Sequence, residues 1–273
     1  MLPVTDLGLT RGFAVFDYLR TYQGRPFHLW DHLLRLQYSA KQIGLEVPKL
    51  EYIQGVIHEL LKRNSFPESA VKIMVTGGQS SNGIYPDGTP SLVVLVWKLP
   101  EFPASFYEIG VKTATTRLSR LFGHAKTTNY VPAIMGLKAA RAQGASEALY
   151  VDEDNNLLEA TTLNFFALVD GVWHTPASIK LLYGITRAVV LRLTAESGVK
   201  VVEGPVNMTD LKRFQEAFIC SSGKDIVPCV QIDDHVIQDG KPGPQTRKLI
   251  AAFKEYAAHE DKWAPLHIHR HED

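Results

Sequence analysis

Apolar, aromatic and β-branched positions dominate Ala14 to Tyr22, a strand-like segment. Gln23-Gly24 supplies a turn, and Arg25-Pro-Phe-His-Leu29 resumes an extended stretch, so this region reads as a hairpin. From Asp31 the apolar spacing is that of a helix. Leu33, Leu36, Ala40 and Ile43 share one apolar face, His32, Arg35 and Ser39 form a second stripe, and Gly44 ends the element. A second helix is predicted from Leu50 to Arg63. Val71–Thr76 and Ser91–Trp97 are rich in β-branched residues and flank a loop, residues 77–88, whose four glycines hold no regular element.

A further strand is expected over Ile109–Thr115. Beyond it come a helix at Val131–Gln143 and a dense block of strands at Glu147–Val151, Leu157–Ala160, Asn164–Val169 and Val172–Thr175, separated by the turns Asp154-Asn-Asn and Asp170-Gly. A helix at Thr186–Gly198, a strand at Val199–Glu203, a helix at Met208–Gln215, a strand at Glu216–Cys220 and a helix at Gln245–Ala258 complete the pattern. The fold expected is α+β: a small N-terminal α/β domain (residues 1–115), an interdomain segment (116–126), a larger C-terminal domain with a mainly antiparallel, barrel-like core (127–258), and a charged, His-rich tail (259–273).

Composition narrows the function classes. Across 273 residues, Lys+Arg 29 balance Asp+Glu 29, so no bulk field draws nucleic acid or an anionic membrane, and any bound anion must be gripped locally. The longest apolar run, near Leu92–Trp97, is too short to cross a bilayer, and the opening Met1–Gly8 lacks a basic segment followed by an apolar one. Cys220 and Cys229, the only cysteines, fit no zinc spacing and are expected to be reduced, buried packing residues of a cytoplasmic protein. His267, His269 and His271 alternate in the tail and read as a solvated terminus; no metal is expected.

Familiar catalytic signatures are absent: no Gly-x-Gly-x-x-Gly, P-loop, Gly-x-Ser-x-Gly or His-Glu-x-x-His occurs. Glu159 stands in an apolar strand context, which implies either a cationic partner or an edge position open to water. Gly184-Ile-Thr-Arg187 delivers the chain into a helix start, a place where free N–H groups and a hydroxyl bind anions, although most such starts are plain caps. Ser221-Ser222-Gly223 is a second hydroxyl-rich turn. Arg35 reads as a solvated arginine or as a planar phosphate clamp, and Lys126 carries no compositional signal of its own.

Taken together, these segments resemble the class IV aminotransferases, the fold-type IV pyridoxal-phosphate enzymes that include branched-chain aminotransferase, D-amino-acid aminotransferase and aminodeoxychorismate lyase. The resemblance spans nearly the whole chain. Asp6–Arg20 is similar to the family's opening motif, Asp31–Ala40 to its helix with the phosphate arginine, and Lys126-Thr-Thr-Asn129 to the Schiff-base lysine segment. Glu159-Ala-Thr-Thr-Leu-Asn-Phe-Phe166 is similar to the signature of the pyridine-nitrogen glutamate, and Gly184–Arg187 to the phosphate cup.

The resemblance implies pyridoxal 5′-phosphate as cofactor, with Lys126 as its covalent attachment and as the proton shuttle. Glu159 would keep the pyridine nitrogen protonated. Arg35, Ile185, Thr186, Ser222 and Ser221 would hold the phosphate, and Tyr130 would hydrogen-bond the ring hydroxyl. It further implies amino acid and keto acid substrates and a homodimer. Two departures stand out. The first sheet is expected to be short of the opening strands relatives carry, and residues 76–83 lack the arginine and histidine that hold the substrate carboxylate in D-amino-acid aminotransferases. Phe16, Tyr18, Arg20 and the Gly77-Gly78 backbone are therefore the candidates for that pocket. The expected function is amino transfer of the D-amino-acid or branched-chain type. The alternatives are aminodeoxychorismate lyase activity, releasing 4-aminobenzoate and pyruvate, and a non-catalytic pyridoxal-phosphate-binding protein.

Overall fold

The computed structural model describes residues 2–266 and 268; the alternating tail histidines lie outside them. The chain packs as two compact units.

The first unit comprises residues 2–100 together with His124–Asn129 and Glu260–Pro265. Its elements are α1 (Leu7–Thr10), β1 (Ala14–Tyr22), β2 (Arg25–Pro26), α2 (Leu29–Gln42), α3 (Leu50–Asn64), β3 (Ser69–Thr76) and β4 (Ser91–Lys98). They build an antiparallel sheet in the order β2-β1-β3-β4. Because side chains alternate along a strand, β1 turns Val15 and Leu19, and β3 turns Val71, Ile73 and Val75, into one core with Leu33 and Leu36 of α2 and Ile53 and Ile57 of α3. The opposite sheet face carries Phe16 across from Met74 and Tyr18 across from Lys72. The expected hairpin is shorter than its apolar pattern suggests. His28 adopts a left-handed conformation (φ 48°) and α2 starts at Leu29, so Asp31 sits in the first turn, where its carboxylate meets His28 Nδ1 at 2.7 Å.

The second unit comprises Glu101–Gly123, Tyr130–His259 and the last described residues. Its elements are α4 (Ser105–Glu108), β5 (Val111–Thr116), α5 (Val131–Ala142), β6 (Glu147–Val151), β7 (Asn156–Ala160), β8 (Asn164–Val169), β9 (Val172–Thr175), α6 (Ile185–Glu196), β10 (Val201–Glu203), β11 (Val206–Asn207), β12 (Phe214–Ser221), β13 (Asp225–Ile232), β14 (His235–Val236) and α7 (Pro244–Ala258). The strands form one ten-stranded sheet in which β8, β12, β13, β5, β6 and β7 follow in order, and β7 pairs with β8 again through Glu159 and Asn164. That pairing closes a ring of six strands. Leu149, Leu157, Phe165, Ala167, Phe214, Ile219 and Val227 belong to the core it encloses.

Two elements differ from expectation. Met208–Arg213 is a 3₁₀ turn capped by the Asn207 side chain, because Phe214 already belongs to the barrel core as the first residue of β12. The strand β13 was hidden by Pro228 within its apolar run; here Pro228 lies opposite Phe218. Among the described residues no helix is long and apolar enough to cross a membrane.

Candidate active site

In the first unit, β1 and α2 meet at a buried charge cluster. Asp17 points to the helix side of the sheet and is fully buried. Arg35 donates to it through Nε (2.9 Å) and Nη2 (2.7 Å), His32 approaches with Nδ1 at 2.7 Å, and the Tyr18 N–H donates at 2.7 Å. Burial alone would push Asp17 upward, but the Arg35 guanidinium and the His32 ring hold it well below the usual carboxylate range. Burial also lowers His32, which is therefore the neutral donor of this pair. Arg35 is thus neither solvated nor unopposed: one edge of its fork belongs to Asp17.

Lys126 lies alongside β1, where its neighbour Thr127 makes an isolated antiparallel bridge to Val15. Phe16 N–H donates to the Lys126 carbonyl (2.9 Å), Thr128 N–H donates to the Ala14 carbonyl (3.0 Å), and Lys126 N–H donates to Ser39 Oγ (3.0 Å). The backbone of the lysine is fixed by β1 and α2, while its Nζ lies 4.9 Å from the centre of the Phe16 ring. Lys72 Nζ lies 4.6 Å from the same ring centre. Further along this face, Tyr18 packs on Trp97 at 5.9 Å, and Arg20 stacks over Tyr22 at 4.2 Å. Burial pushes the Tyr18 phenol up against the opposing pull of Arg20, so it remains a hydroxyl donor.

The Gly77 and Gly78 N–H groups, expected as candidates for the substrate carboxylate, have acceptors within the chain. Gly77 N–H donates to the Phe13 carbonyl (2.9 Å) and Gly78 N–H to Thr76 Oγ1 (3.3 Å), and a Cβ at Gly78 would stand 2.0 Å from the Thr89 carbonyl oxygen. These glycines permit close backbone approach around the buried Asp6, which accepts from Thr76 Oγ1 (2.7 Å) and Ser91 Oγ (3.1 Å).

In the second unit the closure of the barrel gathers the other candidates on one rim. Glu159 pairs with Asn164 across β7 and β8, and Asn164 pairs with Cys220 across β8 and β12. The Ser221-Ser222 turn follows directly, with Ser221 Oγ accepting from Lys224 N–H at 3.3 Å. Asn164 Nδ2 donates to the Leu182 carbonyl (2.7 Å) and Leu182 N–H donates to Glu159 Oε2 (3.2 Å), which pins the loop leading into α6 to the same rim.

Gly184 caps α6 where an added Cβ would meet Asn164 Oδ1 at 2.1 Å. Behind it Ile185 is buried, and the buried Thr186 Oγ1 has no hydrogen-bond partner. A helix start with unsatisfied N–H groups beside an orphaned hydroxyl fits a phosphate.

Glu159 is only 4% exposed and its carboxylate is paired with Arg120 through Oε1. Of the two readings open in the sequence, the paired one holds. Burial works against the Arg120 charge, but the charge and hydrogen bond of the Glu159 carboxylate outweigh it and raise the guanidinium above its ordinary value. Tyr130 is the N-cap residue of α5. Arg120, Tyr150, Asp17, Lys72 and Asn164 were missed by sequence reasoning. Arg120 sits in the segment read as a connection, and Tyr150 in a run that reads as core. Cys220 and Cys229 are buried and free, and burial pushes their thiols up to about 12 and about 11. Among the described residues there is no cluster fit to hold a metal ion.

A family model described as amino-transferase class IV matches residues 14–232. The chain is 33% identical over 263 residues to a putative branched-chain-amino-acid aminotransferase of Methanocaldococcus jannaschii, covering 93% of this chain and 90% of that one. It is 30% identical over 261 residues to a D-alanine aminotransferase of Listeria monocytogenes, again covering 93% and 90%. Among solved structures, the T.th. branched-chain amino acid aminotransferase with pyridoxamine 5′-phosphate superposes with a TM-score of 0.89 at 26% identity, covering 96% of this chain and 92% of that one. The Escherichia coli branched-chain enzyme superposes with a TM-score of 0.90 over 97% and 93%, at 24% identity a likeness of fold alone. The chain belongs to the class IV aminotransferases and has the fold-type IV architecture. It is a pyridoxal-phosphate-dependent aminotransferase.

Proposed function

We propose that this chain moves an amino group from an amino acid to a 2-keto acid by a shuttle centred on Lys126, with the donor drawn from the D-amino acids or the branched-chain amino acids. The observation that carries the reading is the barrel rim: a buried, Arg120-paired Glu159 on the same rim as a helix start whose Thr186 hydroxyl has no partner. Those groups match the nitrogen and phosphate ends of one ring phosphate.

Bound pyridoxal phosphate supplies an electron sink for negative charge developed at the substrate Cα. Lys126 would be its covalent attachment point, and its Nζ would serve as the base that takes the substrate Cα proton and as the acid that delivers it to the cofactor. Fixing the Lys126 backbone to β1 and Ser39 limits where that nitrogen moves. Glu159 would accept from the ring nitrogen, with Arg120 paired to the same carboxylate. The Ile185 and Thr186 N–H groups, the Thr186 hydroxyl and the Ser221-Ser222 turn would hold phosphate, with Arg35 assigned to the same anion. Tyr130 donates to the ring hydroxyl. The substrate carboxylate would be received on the Phe16, Tyr18, Arg20 face, and Lys72, beside the Phe16 ring, would add a cation to it.

The test is a donor panel. Purified protein is given D-alanine or L-leucine, each with 2-oxoglutarate, and keto-acid products are followed; one donor class reacts, and Lys126→Ala loses about 10²–10⁴-fold in rate. Absence of keto acid from every amino acid, with pyruvate released from aminodeoxychorismate, overturns the transaminase reading in favour of the lyase.

A further inference from the structure

Tyr150 is a polar side chain that neither the core nor the reading above uses. It is only 2% exposed, and its hydroxyl, cut off from water, has no hydrogen-bond partner. A buried tyrosine nearly always places its hydroxyl against an acceptor. Its position is set by an irregularity in the barrel. Strands β6 and β7 pair Leu149 with Ala160 and Val151 with Leu157, so between those pairs the single residue Tyr150 faces both Leu158 and Glu159. This is a β-bulge, a device that re-aims a side chain beside a functional site.

On its other side Tyr150 pairs with Thr116, the last residue of β5, and four residues on the chain places Arg120 on Glu159. The charged and titratable groups around the phenol are Arg120, Glu159, Tyr130 and Glu147. Burial pushes it up to about 12, so it carries its proton at every working pH and acts as a donor.

We propose that Tyr150 is a cofactor-binding residue whose hydroxyl donates to an oxygen of the bound ring phosphate, completing the slot that Glu159 and Arg120 begin. This rests on the assignment of Glu159 to the ring nitrogen. An orphaned donor destabilises the empty protein, and removing it without changing shape relieves that strain; the same removal weakens the state in which the donor is satisfied. The two effects have opposite signs, which no purely structural role produces.

The experiment compares wild type with Tyr150→Phe, prepared free of cofactor and then titrated with pyridoxal phosphate. Melting of the cofactor-free proteins is expected to show the variant about 2–4 °C more stable. The dissociation constant for the cofactor, followed by quenching of protein fluorescence, is expected to rise about tenfold. A variant that binds as tightly as wild type, or whose cofactor-free form melts lower, overturns the proposal while leaving the Glu159 assignment standing. Wild type that takes up no cofactor overturns the assignment and the proposal together.

Discussion

At the scale of single residues, Asp17 shows how much of this protein rests on matched buried charge. A carboxylate with no exposure is tolerable because Arg35 neutralises it and His32 and the Tyr18 N–H occupy its remaining lone pairs. Its acidity is strengthened relative to the unfolded chain, so the pair's contribution is complete above the ordinary carboxylate range and is lost only as the pH falls into strong acid. Arg35→Met reverses the situation. The carboxylate is then buried without a cation, its folded pKa rises above the unfolded one, and the penalty grows as the pH rises instead of falling. Urea unfolding of the cofactor-free variant is expected to show a loss of about 3–5 kcal/mol at neutral pH and a smaller loss near pH 4.5. Adding Asp17→Asn is expected to restore most of it. A loss under about 1 kcal/mol in the single variant, typical of an exposed pair, would contradict this account.

At the scale of elements, the decisive feature is where β7, β8 and the start of α6 converge. Gly184 has ordinary extended backbone angles (φ −78°, ψ 145°), so any residue suits its conformation; what it lacks is room, since a Cβ would lie 2.1 Å from Asn164 Oδ1. Gly184→Ala is expected to displace Asn164 from the Leu182 carbonyl and disturb the loop that brings the Leu182 N–H to Glu159. The cost is about 1–3 kcal/mol in stability and about tenfold in cofactor affinity, with helical circular dichroism unchanged. In an Asn164→Ala background the same substitution is expected to cost far less, and equal costs in both backgrounds would refute the clash.

This convergence was half legible in the sequence. Glycine before Ile-Thr and an apolar helical run marked the start of α6, and short apolar runs bounded by turn residues marked β7 and β8. The partners were not legible, because they come from afar. Arg120 is 39 residues from Glu159, Lys126 reaches β1 across more than a hundred residues, and Asp17 reads as one more polar residue of a strand until α2 folds over it. Side-chain periodicity reports which face is buried; it carries no record of which distant charge that face meets.

At the scale of the whole molecule, a chain of zero net charge has no long-range field to concentrate an anionic cofactor, so affinity must arise from groups in local contact with it. Binding that favours only the native state then appears as stability of the unit that holds it. The two cysteines report on that unit: Cys220 and Cys229 lie in β12 and β13 of the barrel, both nearly inaccessible, with thiols that resist ionisation. Labelling by a thiol reagent therefore requires the barrel to open, and at low reagent its rate follows the population of open barrel. Cofactor at a hundred times its dissociation constant stabilises the native state by about 2.7 kcal/mol, which is expected to slow labelling of both thiols about a hundredfold. The measurement is made on Lys126→Ala as well as on wild type, because the rim groups, rather than the covalent attachment, are expected to supply most of the protection. Thiols that label equally fast with and without cofactor would place its binding energy outside the barrel.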